Sequence, residues 1–174
     1  MTMDKTNITL IGMPACGKST VGVLLAKARN MRFTDTDLLI QQKYKKFLWE
    51  IIAEEGIEAF KAREAGVIRS LRCENTCIAT GGSAVYSDRA MRHLKQISTV
   101  VFIDLPCGEI ERRIADIRGR GVVIDRGKTL PELFDERRPL YLRYADVTVE
   151  AQGRGVEELL MEIMKTIPAQ PPRP

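Results

Sequence analysis

The 174 residues suit one compact domain, and 44% apolar against 29% charged residues provide for both a core and a soluble surface. Net charge is +4, from 27 Lys and Arg against 23 Asp and Glu with no run of five basic residues, so neither nucleic acid nor membrane is expected as a partner. There is no unbroken apolar run long enough to span a bilayer and no signal-peptide pattern, and the expected setting is a reducing cytoplasm. Cys16, Cys73, Cys77 and Cys107, with the single histidine His93, include no second close pair to complete the roughly four ligands of a structural zinc site; they are expected as reduced thiols.

In chain order, "NITLIGM" (7 to 13) is a short apolar run that predicts a buried parallel strand. It runs into "IGMPACGKST" (11 to 20), which fits G-x-x-x-x-G-K-[ST], and beyond Gly17 the apolar residues Val21, Leu24, Leu25 and Ala28 take helical spacing. "MRFTDTD" (31 to 37) reads as a strand ending in polar residues, and 38 to 72 as mostly helical with Ile51, Ile52, Phe60, Val67, Ile68 and Leu71 turned to the core. "TCIATGG" (76 to 82) is a strand meeting paired glycines, 87 to 97 a helix capped by Ser87 or Asp88, and "STVVFIDL" (98 to 105) the clearest strand. A helix over 107 to 117 precedes "RGRGVVIDRGK" (118 to 128), whose glycines and cations show no period and read as a mobile loop. The stretch 130 to 145 is helical, with Pro139 expected to start a new turn or kink it; 146 to 151 is a last strand and 155 to 167 a last helix. Strands alternating with helices imply one parallel sheet covered on both faces, with no repeats and no second core.

The chemistry gathers at the expected C-terminal ends of strands. Gly12 and Gly17 permit a loop whose N–H groups face an anion, Lys18 reaches outer phosphates, Ser19 is a magnesium ligand, and Thr20 a helix-start contact. One carboxylate of Asp35-Thr36-Asp37 can stand behind Ser19 and the other can accept a proton from an acceptor hydroxyl; the plainer alternative is that Asp37 caps the helix beginning at Leu38. Gly81-Gly82-Ser83 offers backbone N–H groups to a substrate, or is a plain turn. Most of Lys61, Arg63, Arg113, Arg118, Arg120, Arg126, Arg137 and Arg138 are expected on solvated helix faces, those in 118 to 128 on a lid that closes over phosphates.

Taken together and in order, these motifs resemble shikimate kinase over roughly residues 7 to 165. That family's GxxGxGKS loop is similar to "GMPACGKS", its D-T-D to Asp35-Thr36-Asp37, its F-R-x-x-E to "FKARE" (60 to 64), its G-G-G to "GGS" (81 to 83), its lid R-P-L-L to "RGVV" at Arg120, and its R-x-P-L-Y to Arg137-Arg138-Pro139-Leu140-Tyr141, followed by Ala145-Asp146. The resemblance implies a three-layer α/β/α fold of the P-loop NTPase type with a five-stranded parallel sheet, order 2-3-1-4-5. It further implies a single kinase domain over 1 to 168, a lid near 118 to 128 and a frayed tail at 169 to 174. Phosphoryl transfer from ATP to the shikimate 3-hydroxyl follows, with Mg2+ as cofactor and a monomer as the working unit. On this reading Asp37 contacts ring hydroxyls and is the base, Ser19 and Asp35 serve the metal, and Lys61 and Arg137 hold the substrate carboxylate. Gly81 and Gly82 contact the ring. Gly12, Met13, Pro14, Ala15, Cys16, Gly17, Lys18, Ser19 and Thr20 surround the phosphates, Arg113 lines the adenine pocket, and Arg120 stabilises the transferring charge. The chain departs from the family pattern at Lys61, where the family has arginine, at Ser83, where it has glycine, and at Gly121, where it has proline. Arg63, about 200° round the helix from Lys61, is not placed to supply the missing guanidinium. These departures leave open a kinase of the same fold for another small hydroxylated acid or polyol, or a nucleotide-binding module without transfer activity.

Overall fold

The computed structural model describes residues 5–116 and 127–167. Five strands, β1 (Asn7–Ile11), β2 (Arg32–Asp35), β3 (Thr76–Ala79), β4 (Ser98–Asp104) and β5 (Val147–Glu150), form one parallel sheet in the order β2-β3-β1-β4-β5. β1 is buried at every position, as a central parallel strand with helices over both faces must be. In register, Leu10 of β1 lies between Ala79 of β3 and Val101 of β4. The strand order reverses across β1, so the loops leaving β1, β2, β3 and β4 open onto one crevice, where ligands bind in such sheets.

The helices are α1 (Lys18–Ala28), α2 (Thr36–Tyr44), α3 (Leu48–Glu55), α4 (Ile57–Ser70), α5 (Asp88–Ile97), α6 (Cys107–Asp116), α7 (Leu130–Tyr144) and α8 (Val156–Thr166). The long helical stretch expected over 38 to 72 is three helices, because left-handed Lys45 ends α2 and Gly56, at φ 83°, separates α3 from α4. These three pack on one another, and Ile40, Ile51, Phe60 and Val67 form a second, smaller buried cluster beside the main one. The expectation of a single core is corrected by that cluster. Ile68 and Leu71 join the main core instead, so α4 carries two apolar stripes and bridges the clusters.

α7 runs through Pro139 as one helix, so of the two expectations, a new turn or a kink, the new turn does not occur. Its start is fixed by a capping box, in which Thr129 Oγ1 accepts from the Glu132 N–H (3.4 Å) and the Glu132 carboxylate accepts from the Thr129 N–H (2.7 Å). Buried Tyr141, stacked on Phe102 at 5.1 Å between centroids, anchors the helix beyond the proline. Packing on both sides of Pro139 outweighs the one backbone hydrogen bond it removes.

The four cysteines are free; Cys73 precedes β3 and Cys77 lies within it. Among the described residues no helix is long and apolar enough to cross a membrane, and no group of three or more His, Cys, Asp or Glu is arranged to hold a metal ion. The tail at 169 to 174 and most of the expected lid, with Arg118, Arg120, Gly121 and Arg126, lie outside the described residues.

Candidate active site

From Ile11 the chain turns through residues 12–17 into α1. Gly12 has φ 149°, and a Cβ there would stand 2.8 Å from the Ile103 carbonyl oxygen and 2.9 Å from Cys16 Sγ, so no larger residue fits. α1 opens with left-handed Gly17 and has neither a side-chain cap nor an acidic residue in its first turn. Its first N–H groups and the positive end of its dipole are therefore directed at the loop, an arrangement suited to an anion. Lys18 is buried against the same loop: Nζ donates to the carbonyls of Gly12 (2.9 Å) and Met13 (2.8 Å) and lies 3.6 Å from Cys16 Sγ. Arg113 reaches over from α6 and donates to the Ala15 carbonyl at 3.3 Å, so it tethers the loop as well as standing beside it.

The carboxylates after β2 divide their work. Asp35 Oδ2 accepts from Ser19 Oγ at 2.6 Å and Oδ1 from the Asp37 N–H at 2.9 Å. The N-cap of α2 is thus Asp35, and the capping alternative for Asp37 is excluded. Asp37 lines the cavity below the phosphate loop. Loss of water around it, reinforced by the charge of Asp35 and opposed by Lys18, raises its carboxyl to about 6.

Where β3 ends, Gly81 passes between two carboxyl groups: a Cβ on it would lie 2.2 Å from Glu64 Oε1 and 2.7 Å from Asp37 Oδ1. The Gly81 N–H, expected to face a substrate, donates instead to Thr36 Oγ1 at 3.2 Å, because α2 begins directly alongside. A Cβ on Gly82 would lie 3.0 Å from Arg137 Nη1, so the paired glycines let carboxyls and guanidinium crowd one turn. The Gly82 carbonyl accepts from Tyr141 Oη at 2.6 Å, which holds that turn to α7.

Glu64 carries a role that the sequence reading left unassigned. It is 1% exposed and lines the cavity; Oε2 accepts from Ser83 Oγ, and Oε1 has no partner. Burial pushes its carboxyl up to about 7 against the Ser83 hydrogen bond, with the Asp37 charge adding and Arg137 and Lys18 opposing. The signal was a charge on the stripe 60, 64, 67, 68 of α4, where the other positions are apolar and buried.

The cations separate sharply. Arg63 pairs with Glu55 (2.9 and 2.5 Å) and covers Tyr44, and Arg138 grips Asp104 by two nitrogens (2.7 and 3.2 Å); both are structural. Arg137, 3% exposed, lines the cavity. Lys61 does not line it but shares the ring of Tyr86 with Arg137, with Nζ 4.5 Å and the Arg137 Cζ 5.3 Å from the ring centroid. The cavity, about 370 Å³, joins the phosphate loop, including Lys18, Ser19 and Thr20, to Asp37, Glu64, Gly81, Gly82 and Arg137. An anion at one end and a small polar compound at the other would meet beside a carboxylate with a near-neutral pKa.

The shikimate kinase family model matches residues 14–168. The chain is 37% identical to the shikimate kinase of Synechococcus sp. (strain RCC307), over 95% of this chain and 86% of that one, and 36% identical to that of Clostridium botulinum, over 94% and 98%. Among solved structures, the shikimate kinase from Acinetobacter baumannii in complex with shikimate superposes with a TM-score of 0.86 at 29% identity, covering 94% of this chain and 93% of that one. With the phosphate loop, the carboxylate pair and the buried arginine gathered on one crevice of a 2-3-1-4-5 sheet, the chain belongs to the shikimate kinase family.

Proposed function

We propose that this protein transfers the terminal phosphoryl group of ATP to the 3-hydroxyl of shikimate. The observation that carries the reading is one cavity lined by Lys18 and Ser19 at the phosphate end and by Asp37, Glu64 and Arg137 at the acceptor end. Family membership and the neighbour crystallised with shikimate support the choice of acceptor. The residues from Gly12 to Thr20 bind the nucleotide phosphates, and Lys18 exchanges its contacts with the Gly12 and Met13 carbonyls for phosphate oxygens. Arg113 steadies this loop and borders the nucleotide, and Arg120, outside the described residues, supplies charge to the transferring group. Asp37 orients the hydroxyl and takes its proton, and Arg137 with Lys61 binds the carboxylate, while Gly81 and Gly82 allow the ring to approach.

The hydroxyl of Ser19 and the carboxylate of Asp35, 2.6 Å apart, form a hard-oxygen pair that fits magnesium, whose remaining ligands would be phosphate and water. Bound there, the ion would neutralise charge developing on the phosphates. A monomer in a cytoplasmic setting is the working form we propose with this reading.

The test is ADP release from MgATP at rising shikimate concentration. Saturable, shikimate-dependent release is expected. ATP binding without release would overturn the reading, and a panel of other hydroxy acids and polyols would then identify the acceptor to which Lys61 and Ser83 are fitted.

A further inference from the structure

Tyr86 closes the short 3-10 turn Ala84–Tyr86 directly after the paired glycines, and its surroundings are unusual. Lys61 Nζ and the Arg137 guanidinium both lie against its ring, at 4.5 and 5.3 Å from the centroid. Two cations gathered about one ring repel, and the ring offsets this by attracting each. The phenol is held from two sides, accepting from Arg137 Nε at 3.2 Å and donating to Glu136 Oε1 at 2.5 Å, and Glu136 in turn pairs with Lys128.

Lys61 also donates to Glu58 Oε1 at 2.8 Å. A lysine ammonium has no planar fork to set its own geometry, so its position depends on its neighbours. Arg137 lines the acceptor cavity and Lys61 does not; the ring of Tyr86 is the group that both charges share. We propose that Tyr86 is a specificity-determining positioning residue, which holds Lys61 beside Arg137 so that their joint charge selects a carboxylate-bearing acceptor. The inference rests on the shikimate reading above. Tyr86 does not itself line the cavity and reaches it through Arg137, so its loss should act on the acceptor and leave the nucleotide end alone.

The experiment compares kcat and KM of the unsubstituted protein, Tyr86→Met and Tyr86→Phe for shikimate, for its neutral methyl ester and for MgATP. Tyr86→Met removes the π-face while filling the space, and is expected to raise KM for shikimate about tenfold while KM for the ester and for MgATP stay within about twofold. Tyr86→Phe keeps the ring and is expected to stay within about threefold of the parent for shikimate. Equal rises for acid and ester in Tyr86→Met, or an unchanged KM for shikimate, would overturn the proposal, as would a loss in Tyr86→Phe matching that of Tyr86→Met. Absence of shikimate-dependent turnover in the unsubstituted protein would instead overturn the reading of its activity, and this inference with it.

Discussion

Asp37 stands where the two halves of the cavity meet, and its raised pKa of about 6 lets it remain a carboxylate at neutral pH while still holding a proton well enough to accept one. Because the ionised form is the base, kcat/KM is expected to fall below about pH 6, by roughly tenfold per unit. Asp37→Asn is expected to lower kcat by about 10²- to 10⁴-fold and to abolish that acid limb, with the affinity for ATP almost unchanged. A collapse of ATP affinity in the same variant would move Asp37 to the nucleotide side. Lys61→Arg asks a different question. A guanidinium over Tyr86 would bring a planar fork to the carboxylate, and KM for shikimate is expected to drop by about three- to tenfold. A large rise would mean that the Glu58 and Tyr86 contacts have shaped the site around an ammonium. The residues legible in the sequence are those whose meaning depends on near neighbours, such as Lys18 within its loop and the pair Asp35 and Asp37. Glu64 and Tyr86 were not legible, because their partners Ser83 and Arg137 lie 19 and 51 residues away. For Glu64 the local hints were a lone charge on an apolar stripe and its place at the end of FKARE, and neither names a partner.

At the scale of elements, alternation of apolar runs and helical periods was sufficient to place the five strands, most plainly the inner ones, since a central parallel strand has no polar face to disguise it. The division of 38 to 72 into three helices was hidden, because it depends on Lys45 adopting a left-handed conformation that its residue type does not advertise. At Pro139 the signal for a new turn misled for the opposite reason, a strong local signal overridden by packing at Arg137, Tyr141 and Tyr144. The phosphate loop holds a comparable conflict. Ala15 sits at φ 61°, in a region costly for any residue with a Cβ, and its carbonyl is held there by Arg113. Strain of this kind is retained where the surrounding structure over-determines the backbone. Ala15→Gly relieves it at some cost in unfolded-chain entropy, and is expected to stabilise the protein by about 0.5–1 kcal/mol, or roughly 1–4 °C in Tm. A lower Tm would show that the alanine methyl makes packing contacts worth more than the strain.

The whole molecule sets the conditions under which these carboxyls titrate. With β1 central and the chain crossing from one side of the sheet to the other, α2, α4 and the turn after β3 converge at one end, and Asp37 and Glu64 are drawn into the same confined space around Gly81. Both pKa values are raised, so the folded state binds these protons more tightly than the unfolded chain does. Their stabilisation is therefore complete below the ordinary carboxyl range near pH 4 and is lost as pH rises through about 6 for Asp37 and about 7 for Glu64. Asp37 must be ionised for transfer, so activity and stability pull in opposite directions over this window. Glu64→Gln separates them. Glutamine keeps an acceptor for Ser83 Oγ but has no charge to bury, so its advantage over the parent should be larger at pH 8 than at pH 5, by about 2 kcal/mol. Urea unfolding midpoints of both proteins at the two pH values measure this directly. An equal difference at both would show that Glu64 ionises without penalty, and that the unpartnered Oε1 finds enough compensation in the cavity to hold a full charge.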